Sequence, residues 1–324
     1  MAGGALPTSR RQLDLPFVAQ DPRIREIVAL LRRLANAPAN VLISGESGTG
    51  KDLAAHALHL WGSRAEKPFV KIDLPSVPAE LLESELFGYE RGAFTGARES
   101  KPGKLEMAPG GTVFLDQIGE LEPALQAKLL RVVEDRRFER VGGTRTQTVD
   151  ARIVASTSAD LKEAVARNSF RQDLFYRLSV FWIQLPPLRE RKGDILPLAK
   201  FFLERKAEKL SWKTAVDFSP DAKQVLRSYG WPGNVRELKG VVERGAMVAR
   251  GERIEQADLP EQILESPSVA FRTGVAERPT LAEVEKNYIE LILHSVGGNQ
   301  TRAAQILGIS RKALWEKRRR YGLE

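Results

Sequence analysis

The stretch VLISGESGTGKD, residues 41–52, carries a β-favouring apolar run, a glycine-rich turn and the start of a helical pattern, in that order. Glycines at 45, 48 and 50 let the backbone curl so that its amides point inward. The helix that follows brings the positive end of its dipole to the same place. Lys51 stands where its ammonium can reach the outer phosphates of a nucleotide. Strand, loop and helix in this order are the context a phosphate loop requires. Gly45, Glu46, Ser47, Gly48, Thr49, Gly50, Lys51 and Asp52 are therefore the expected nucleotide contacts. Position 52 is Asp where the general pattern has Ser or Thr. Either Thr49 takes part in metal binding, or the metal rests mainly on other groups.

On both sides of this stretch, short apolar runs alternate with helical patterns from about residue 19 to 185. The other runs are Phe69–Ile72, Thr112–Leu115 and Arg152–Ala155. Such alternation predicts a parallel sheet covered by helices. The segment GGTVFLDQ, residues 110–117, ends in Asp116, placed to hold Mg²⁺ or its waters beside the phosphates. Gln117 comes next, where many such ATPases carry a Glu. An amide can orient water but cannot take its proton. From about 186 to 262 helical periodicity dominates, as in Ile195–Leu210 and Asp221–Ser228. Residues 263–280, with Pro267, Gly274 and Pro279, read as a linker. Residues 281–324 form a last helical unit, and residues 1–18 a polar tail.

Composition narrows the class. Over 324 residues, 42% hydrophobic and 28% charged content suits a soluble globular chain with a sizeable core. No apolar stretch approaches the roughly 20 residues that span a bilayer. The first residues lack an apolar signal core, so export is not expected. With no cysteine, disulfides, thiolate metal sites and thiol nucleophiles are excluded, which fits a reducing cytoplasm. His56, His59 and His294 do not cluster as a metal site. A formal charge of +8 points weakly to a polyanionic partner.

The most specific segment is ELFGYERGAFTGA, residues 85–97. Gly92 and Gly96 flank Phe94 and Thr95, so a mobile loop presents an aromatic and a hydroxyl at its tip. On these motifs the chain resembles the central AAA+ domain of the sigma-54-dependent activators (bacterial enhancer-binding proteins), from about residue 19 to the end. The resemblance implies that Gly92, Ala93, Phe94, Thr95, Gly96 and Ala97 contact the sigma factor. RVGG, residues 140–143, resembles the second surface loop that supports the first. VASTS, residues 154–158, matches the strand carrying a polar sensor, here Thr157 and Ser158 in place of the common Thr-Asn. In FRQDLFYRL, residues 170–178, Arg171 and Arg177 stand at the positions of the family's arginine fingers. They would act on a neighbouring subunit's ATP, which implies a ring. LPPLRERKGDI, residues 185–195, resembles the junction into the lid, and WPGNVREL, residues 231–238, the lid signature. In it Asn234 can cap the next helix, and Arg236 can point back at the nucleotide.

PFVKIDLPS, residues 68–76, departs from the family, which usually has Asn where this chain has Asp73. In the family that Asn contacts the catalytic Glu. Here amide and carboxylate have changed places, as Gln117 and Asp73. One expectation is that the pair keeps its hydrogen bond with reversed polarity and Asp73 partly supplies the base. The other is an ATPase that binds well and turns over slowly.

At the C-terminus, residues 281–296 read as an amphipathic helix with Leu281, Val284, Tyr288, Ile289, Leu291 and Ile292 as candidate core. GGNQTRAAQILGISRKALWEKRRRYG, residues 297–322, follows. Asn299 and Ser310 can cap two short helices, and Gly308 fits the turn between them. This resembles the helix-turn-helix of the nucleoid protein Fis and of these activators. Basic residues far outnumber acidic ones here, which favours phosphate contact. Arg302, Ser310, Arg311, Lys312 and Lys317 are the candidate DNA contacts. Such units usually pair, so two half-sites are expected.

The resemblance therefore implies an α/β AAA+ P-loop domain, its parallel sheet carrying helices on both faces, then a helical lid and an all-α helix-turn-helix. It implies ATP and Mg²⁺ as cofactors. It implies sigma-54 RNA polymerase holoenzyme, an upstream DNA site and other copies of the chain, from dimer to hexameric ring, as partners, with no membrane. The leading reading is a DNA-bound ATPase that remodels the closed promoter complex through the GAFTGA loop. The rival is a nucleotide-gated DNA-binding regulator with very slow or no hydrolysis, because Gln117 replaces the usual Glu. No regulatory domain is evident before residue 19, so control is expected in trans, through expression, or not at all.

Overall fold

In the computed structural model, which describes residues 17–209, 217–249, 253–265 and 280–323, five short strands pair side by side, all parallel. They are β1 (Val41–Ser44), β2 (Phe69–Asp73), β3 (Thr112–Asp116), β4 (Arg152–Thr157) and β5 (Phe181–Gln184), in the spatial order β2-β3-β4-β1-β5. Strand side chains alternate between faces. Leu42, Val113, Leu115, Ile153 and Ala155 enter one apolar cluster, while Val41, Ile43, Phe114 and Val154 enter the other. A sheet buried on both faces needs this near-continuous apolar composition.

Helices supply the covering layers. α1 (Pro22–Leu34) and α2 (Lys51–Leu60) cover one face through Leu31, Leu34, Ala54, Ala55 and Leu58. On the other lie α3 (Ala79–Phe87), α4 (Pro123–Asp135), α5 (Leu161–Ala166) and α6 (Gln172–Leu178), which contribute Leu82, Leu129, Val132, Leu161, Leu174 and Leu178. Further along come α7 (Ile195–Lys209), α8 (Pro220–Ser228), α9 (Asn234–Val248) and α10 (Glu261–Leu264). The last three are α11 (Leu281–Ser295), α12 (Gln300–Leu307) and α13 (Arg311–Tyr321). Among the described residues no helix is long and apolar enough to cross a membrane.

Contacts divide the chain into two units, residues 1–205 with 231–242, and residues 206–230 with 243–324. Residues 231–242, placed by the sequence in the helical lid, join the first unit because they bind the loop after β1. The tail residues 1–16 and most of the linker, residues 266–279, lie outside the described residues.

Two details differ from the sequence reading. Strand β5 was not expected. Its sequence, Phe-Trp-Ile-Gln, is apolar, but it follows the last apolar residue of α6, Leu178, after only Ser179 and Val180, so its run merges with the helical pattern before it. In α11, Ile289 is buried with Ile292 and Leu293 against Ala303, Ala304 and Leu314. Leu281, Tyr288 and Leu291, expected in the core, are exposed. A three-helix unit this small covers one stripe of α11, and these three lie on the adjoining stripe.

Arg152, at the start of β4, is buried, and its guanidinium donates to the carbonyls of Ala35 (2.6 Å) and Leu34 (2.8 Å) at the end of α1. A cation there satisfies carbonyls left free by the helix and complements its negative end. Replacing it removes two charge-assisted bonds, although Leu34 O keeps the Ala37 amide at 2.9 Å. Arg152→Met is expected to destabilise the first unit by about 2–4 kcal/mol in urea unfolding; a change within about 0.5 kcal/mol would show that the staple contributes nothing.

Candidate functional site

Parallel pairing brings the C-terminal ends of β1 to β4 to one edge, the usual place for a ligand in an open α/β sheet. The loop after β1 is anchored at its start, where the Gly45 amide donates to Thr157 O at 3.2 Å. Gly48 and Gly50 have φ of 79° and 108°. A Cβ on Gly48 would come within 2.3 Å of Gly233 O, so the position requires glycine on both counts. Lys51 is buried, and its ammonium donates to Gly45 O (2.7 Å) and Glu46 O (3.1 Å). Burial lowers its pKa from the usual lysine value. Thr49 Oγ1 is turned onto Glu46 O at 2.8 Å.

Residues far along the chain grip this loop. Arg189 forks onto the Glu46 carboxylate at 2.8 and 2.6 Å, and Arg191 donates to Thr49 O at 2.7 Å. Arg236 Nη1 donates to Ser47 Oγ at 2.8 Å, so its guanidinium does lie at the loop. The expectation that Asn234 caps α9 is corrected. Asn234 is itself the first residue of α9, with φ of 54°. Its amide donates to Glu46 Oε2 (3.1 Å) and Ser47 O (3.0 Å), and its oxygen accepts from Leu188 N (2.7 Å). In a fully buried position every polar atom needs a partner, and these lie closest. Glu237 takes over at the helix start, accepting from Gly233 N at 2.8 Å.

At the acidic strand end, Asp116 Oδ1 accepts from Ser156 Oγ, and Oδ2 lies 2.8 Å from Lys71 Nζ. The same Nζ is 2.6 Å from Asp52 Oδ1. Burial would raise the Asp116 pKa, but Lys71 and Ser156 outweigh it and hold the carboxyl below its usual range. Two carboxylates thus converge on one cationic atom. Hard oxygen donors of this kind suit Mg²⁺, and Asp52 and Asp116 are the residues that would hold it. Gln117 adopts a left-handed conformation, φ 63°, and its Oε1 accepts from Ser158 N (3.0 Å) and Ser158 Oγ (2.8 Å).

The expected Asp73–Gln117 hydrogen bond is not present. Asp73, at the end of β2, pairs in register with Asp116 at the end of β3 and is exposed. Gln117 turns the other way, toward the end of β4, because the left-handed backbone directs it there and Ser158 offers two donors.

Arg171 and Arg177 are not brought to this loop. Arg171 forks onto Asp173 (3.1 and 2.7 Å), and Arg177 Nε donates to Glu134 at 2.6 Å; both are largely exposed on α6 and its start.

The GAFTGA loop springs from the antiparallel pair Gly88–Tyr89 and Lys101–Pro102. Gly92 N donates to Ala97 O (2.8 Å) and Ala97 N to Phe94 O (3.0 Å), which folds the tip back on itself. Ala97 is buried, whereas Phe94 is 42% exposed and edge-on to Tyr89 at 4.9 Å. Thr95 is exposed beside it. The second loop packs beneath, with a Cβ on Gly142 falling 2.7 Å from Ala93 Cβ. Arg140 reaches Glu90 (3.1 Å) and forks onto Glu106 (3.0 and 2.7 Å), fixing the base of the first loop.

In the second unit, Asn299 and Ser310 cap α12 and α13 through the amides of Arg302 and Ala313, both at 3.1 Å. Arg302, Arg311 and Lys312 are exposed. Lys317 is turned onto Glu285 at 2.6 Å, beside Tyr321.

Sequence reasoning missed Lys71, Ser156, Arg189 and Arg191. For Lys71 a signal existed: a charged residue interrupts an apolar strand two places before Asp73, hence on one face with it.

The family described as Sigma-54 interaction domain matches residues 17–184, that of the AAA+ ATPase lid domain residues 189–274, and Bacterial regulatory protein, Fis family, residues 280–321. The chain is 45% identical over 301 residues to the transcriptional regulatory protein ZraR of Klebsiella oxytoca, covering 93% of this chain and 68% of ZraR. It is 45% identical over 314 residues to the alginate biosynthesis transcriptional regulatory protein AlgB of Pseudomonas aeruginosa, covering 97% and 69%. A solved structure of NtrX from Brucella abortus in complex with ATP superposes with a TM-score of 0.73 at 35% identity, covering 95% of this chain and 70% of NtrX.

Proposed function

The chain belongs to the sigma-54-dependent transcriptional activators, and from that premise we propose that it is a DNA-bound ATPase that remodels the closed complex of sigma-54 RNA polymerase. The observation that carries this reading is the loop at 90–100. An aromatic and a hydroxyl, Phe94 and Thr95, stand exposed at a tip whose base is clamped by Arg140 and propped by Gly142. An exposed aromatic on a braced loop suits contact with a protein partner. On this reading the amides of residues 45–50 bind the phosphates, Lys51 reaches the outer ones, and Arg236 approaches from the lid. Asp116 and Asp52 would hold Mg²⁺, which would neutralise charge on the phosphates.

Gln117 is placed to orient the attacking water, and Asp73 remains an exposed carboxylate one strand away. Arg171 and Arg177 leave their ion pairs to serve a neighbouring subunit's nucleotide in a ring. Forked guanidinium groups suit phosphate oxygens as they suit Asp173 and Glu134. In the second unit, α13 enters the major groove. Its first residues, Arg311 and Lys312, read bases or phosphates while Ser310 caps the helix, and Arg302 adds a phosphate contact. Lys317 first has to leave Glu285.

One observation favours a second reading, a nucleotide-gated regulator with very slow hydrolysis. Both Gln117 Oε1 contacts go to Ser158, and Asp73 does not reach it. No carboxylate is thereby held at the position of the usual Glu.

Two measurements separate these readings, and a third tests the DNA contact that both share. Heparin-resistant open complexes with purified sigma-54 RNA polymerase are expected with the native protein and ATP, and are lost in Phe94→Ala with nucleotide binding intact. If the native protein binds ATP yet opens no promoter, the second reading takes over. Steady-state Mg-ATP hydrolysis is expected to rise in Gln117→Glu by about 10²- to 10⁴-fold if proton removal limits the native rate; equal rates would clear Gln117 of being a handicap. Arg311→Ala is expected to weaken operator DNA about tenfold or more in a gel-shift titration, and unaltered affinity would remove α13 from the interface.

A further inference from the structure

Three charges meet where a nucleotide's metal would lie. Lys71 Nζ sits 2.6 Å from Asp52 Oδ1 and 2.8 Å from Asp116 Oδ2. The elements involved are β2, the first turn of α2 and the tip of β3, so neither contact arises from neighbours in sequence. The Asp116 side chain is 13% exposed and that of Asp52 47%, and two carboxylates aimed at one point repel unless a cation lies between them. We propose that Lys71 is a built-in counter-cation that holds the divalent-metal position of the nucleotide-free site, so that Mg²⁺ enters with the nucleotide and not ahead of it.

The chemistry of the donors supports this assignment. A phosphate loop with Ser or Thr after its Lys offers the metal a neutral hydroxyl; this chain offers the anion of Asp52. That anion stands in the first turn of α2, beside the loop that receives the phosphates, and uncompensated it would oppose a polyanionic ligand. Lysine suits the compensating role. Its ammonium is a compact point charge on a flexible stem, so it can fill the site without fixing an octahedral geometry and can leave it without unfolding anything. The ammonium lies 5.6 Å from the centroid of the Phe114 ring, an aromatic face that adds to the attraction. Burial alone would weaken the Lys71 charge; Asp116 and Asp52 outweigh it and raise its pKa from the usual value. A cation held this firmly competes with a free metal ion, and displacing it is easier when Mg²⁺ arrives already bound to phosphate oxygens.

The inference rests on the nucleotide-binding reading, and its test is arranged so that the two can fail separately. Thermal unfolding of the nucleotide-free protein is followed with EDTA and with increasing MgCl₂, for the native chain, Lys71→Met and Lys71→Arg. The native protein and Lys71→Arg are expected to show no saturable Mg²⁺ response. Lys71→Met is expected to unfold at least about 3 °C lower in EDTA and to recover as Mg²⁺ fills the vacated position. Binding of a fluorescent ATP analogue is measured alongside. Removing Mg²⁺ is expected to cost Lys71→Met about tenfold more affinity than it costs the native protein. A saturable Mg²⁺ shift in the nucleotide-free native protein overturns the proposal, and it does so even if Lys71→Met does not fold. If no variant binds the analogue, the nucleotide reading falls, while the metal titration still decides the role of Lys71.

Discussion

The amide of Val235 donates to Gly48 O at 3.0 Å, and Gly233 O closes on the other side of the same glycine. This contact between a left-handed loop and the first turn of α9 is the constraint on which the site depends. It explains why Gly48 lacks a side chain, and why Asn234 is buried with partners on three sides; at Gly233 the crowding comes instead from Glu237, whose Cβ would lie 2.7 Å from an added one. It also explains why residues 231–242 belong with the sheet and not with the helices around them. A phosphate loop has backbone amides that point inward and carbonyls that must point somewhere else. In this chain Asn234, Arg191, Val235 and Lys51 take those carbonyls, so the loop's shape is set from outside before any ligand arrives.

Much of this was legible in the sequence, for reasons that differ by element. Strands β1, β3 and β4 announce themselves because burial on both faces forces apolar runs, and β2 does so despite the interruption at Lys71. The expected bounds of β1 match the structure, and those of β2, β3 and β4 fall one or two residues short, since Asp73, Asp116 and Thr157 are polar and sit in the strand for the sake of the site. Strand β5, Phe-Trp-Ile-Gln, is apolar but follows α6 after only Ser179 and Val180, so its run merges with the helical pattern that ends at Leu178. The loop at 45–52 and the GAFTGA loop were legible because glycine spacing states backbone conformation directly. Side-chain partnerships were not. The local view made Asn234 a helix cap, and only the folded chain brings Glu46, Ser47 and Leu188 to it. Lys71 was passed over because its partners, Asp52 and Asp116, are 19 and 45 positions away and meet it only through strand register.

The C-terminal unit shows the limit of reading periodicity. Apolar residues on α11 occupy two adjoining stripes, and a periodic pattern does not say which stripe the unit buries. The short partners α12 and α13, with Ala303, Ala304 and Leu314, have surface enough for the stripe through Ile289 and Ile292. Leu281, Tyr288 and Leu291 stay outside it.

Strand β4 connects the two halves of the site. Thr157 O receives the first amide of the phosphate loop, Ser156 Oγ donates to Asp116, and Ser158 donates twice to Gln117. Three consecutive residues therefore touch the phosphate loop, the acidic strand end and the residue after it. The Ser158 amide can only donate, so it fixes the orientation of the Gln117 side chain: the oxygen must face Ser158, and the NH₂ group is turned away from it. A carboxylate at position 117 would accept from the same two donors with the same reach. Gln117 is thus not required by the packing around it, since the local network accommodates either side chain. What changes between them is chemical: the amide brings hydrogen-bond donors to the side away from Ser158, and the carboxylate would bring a proton acceptor. The geometry leaves the choice between orienting water and deprotonating it to that single atom, with the rest of β4 indifferent to the outcome.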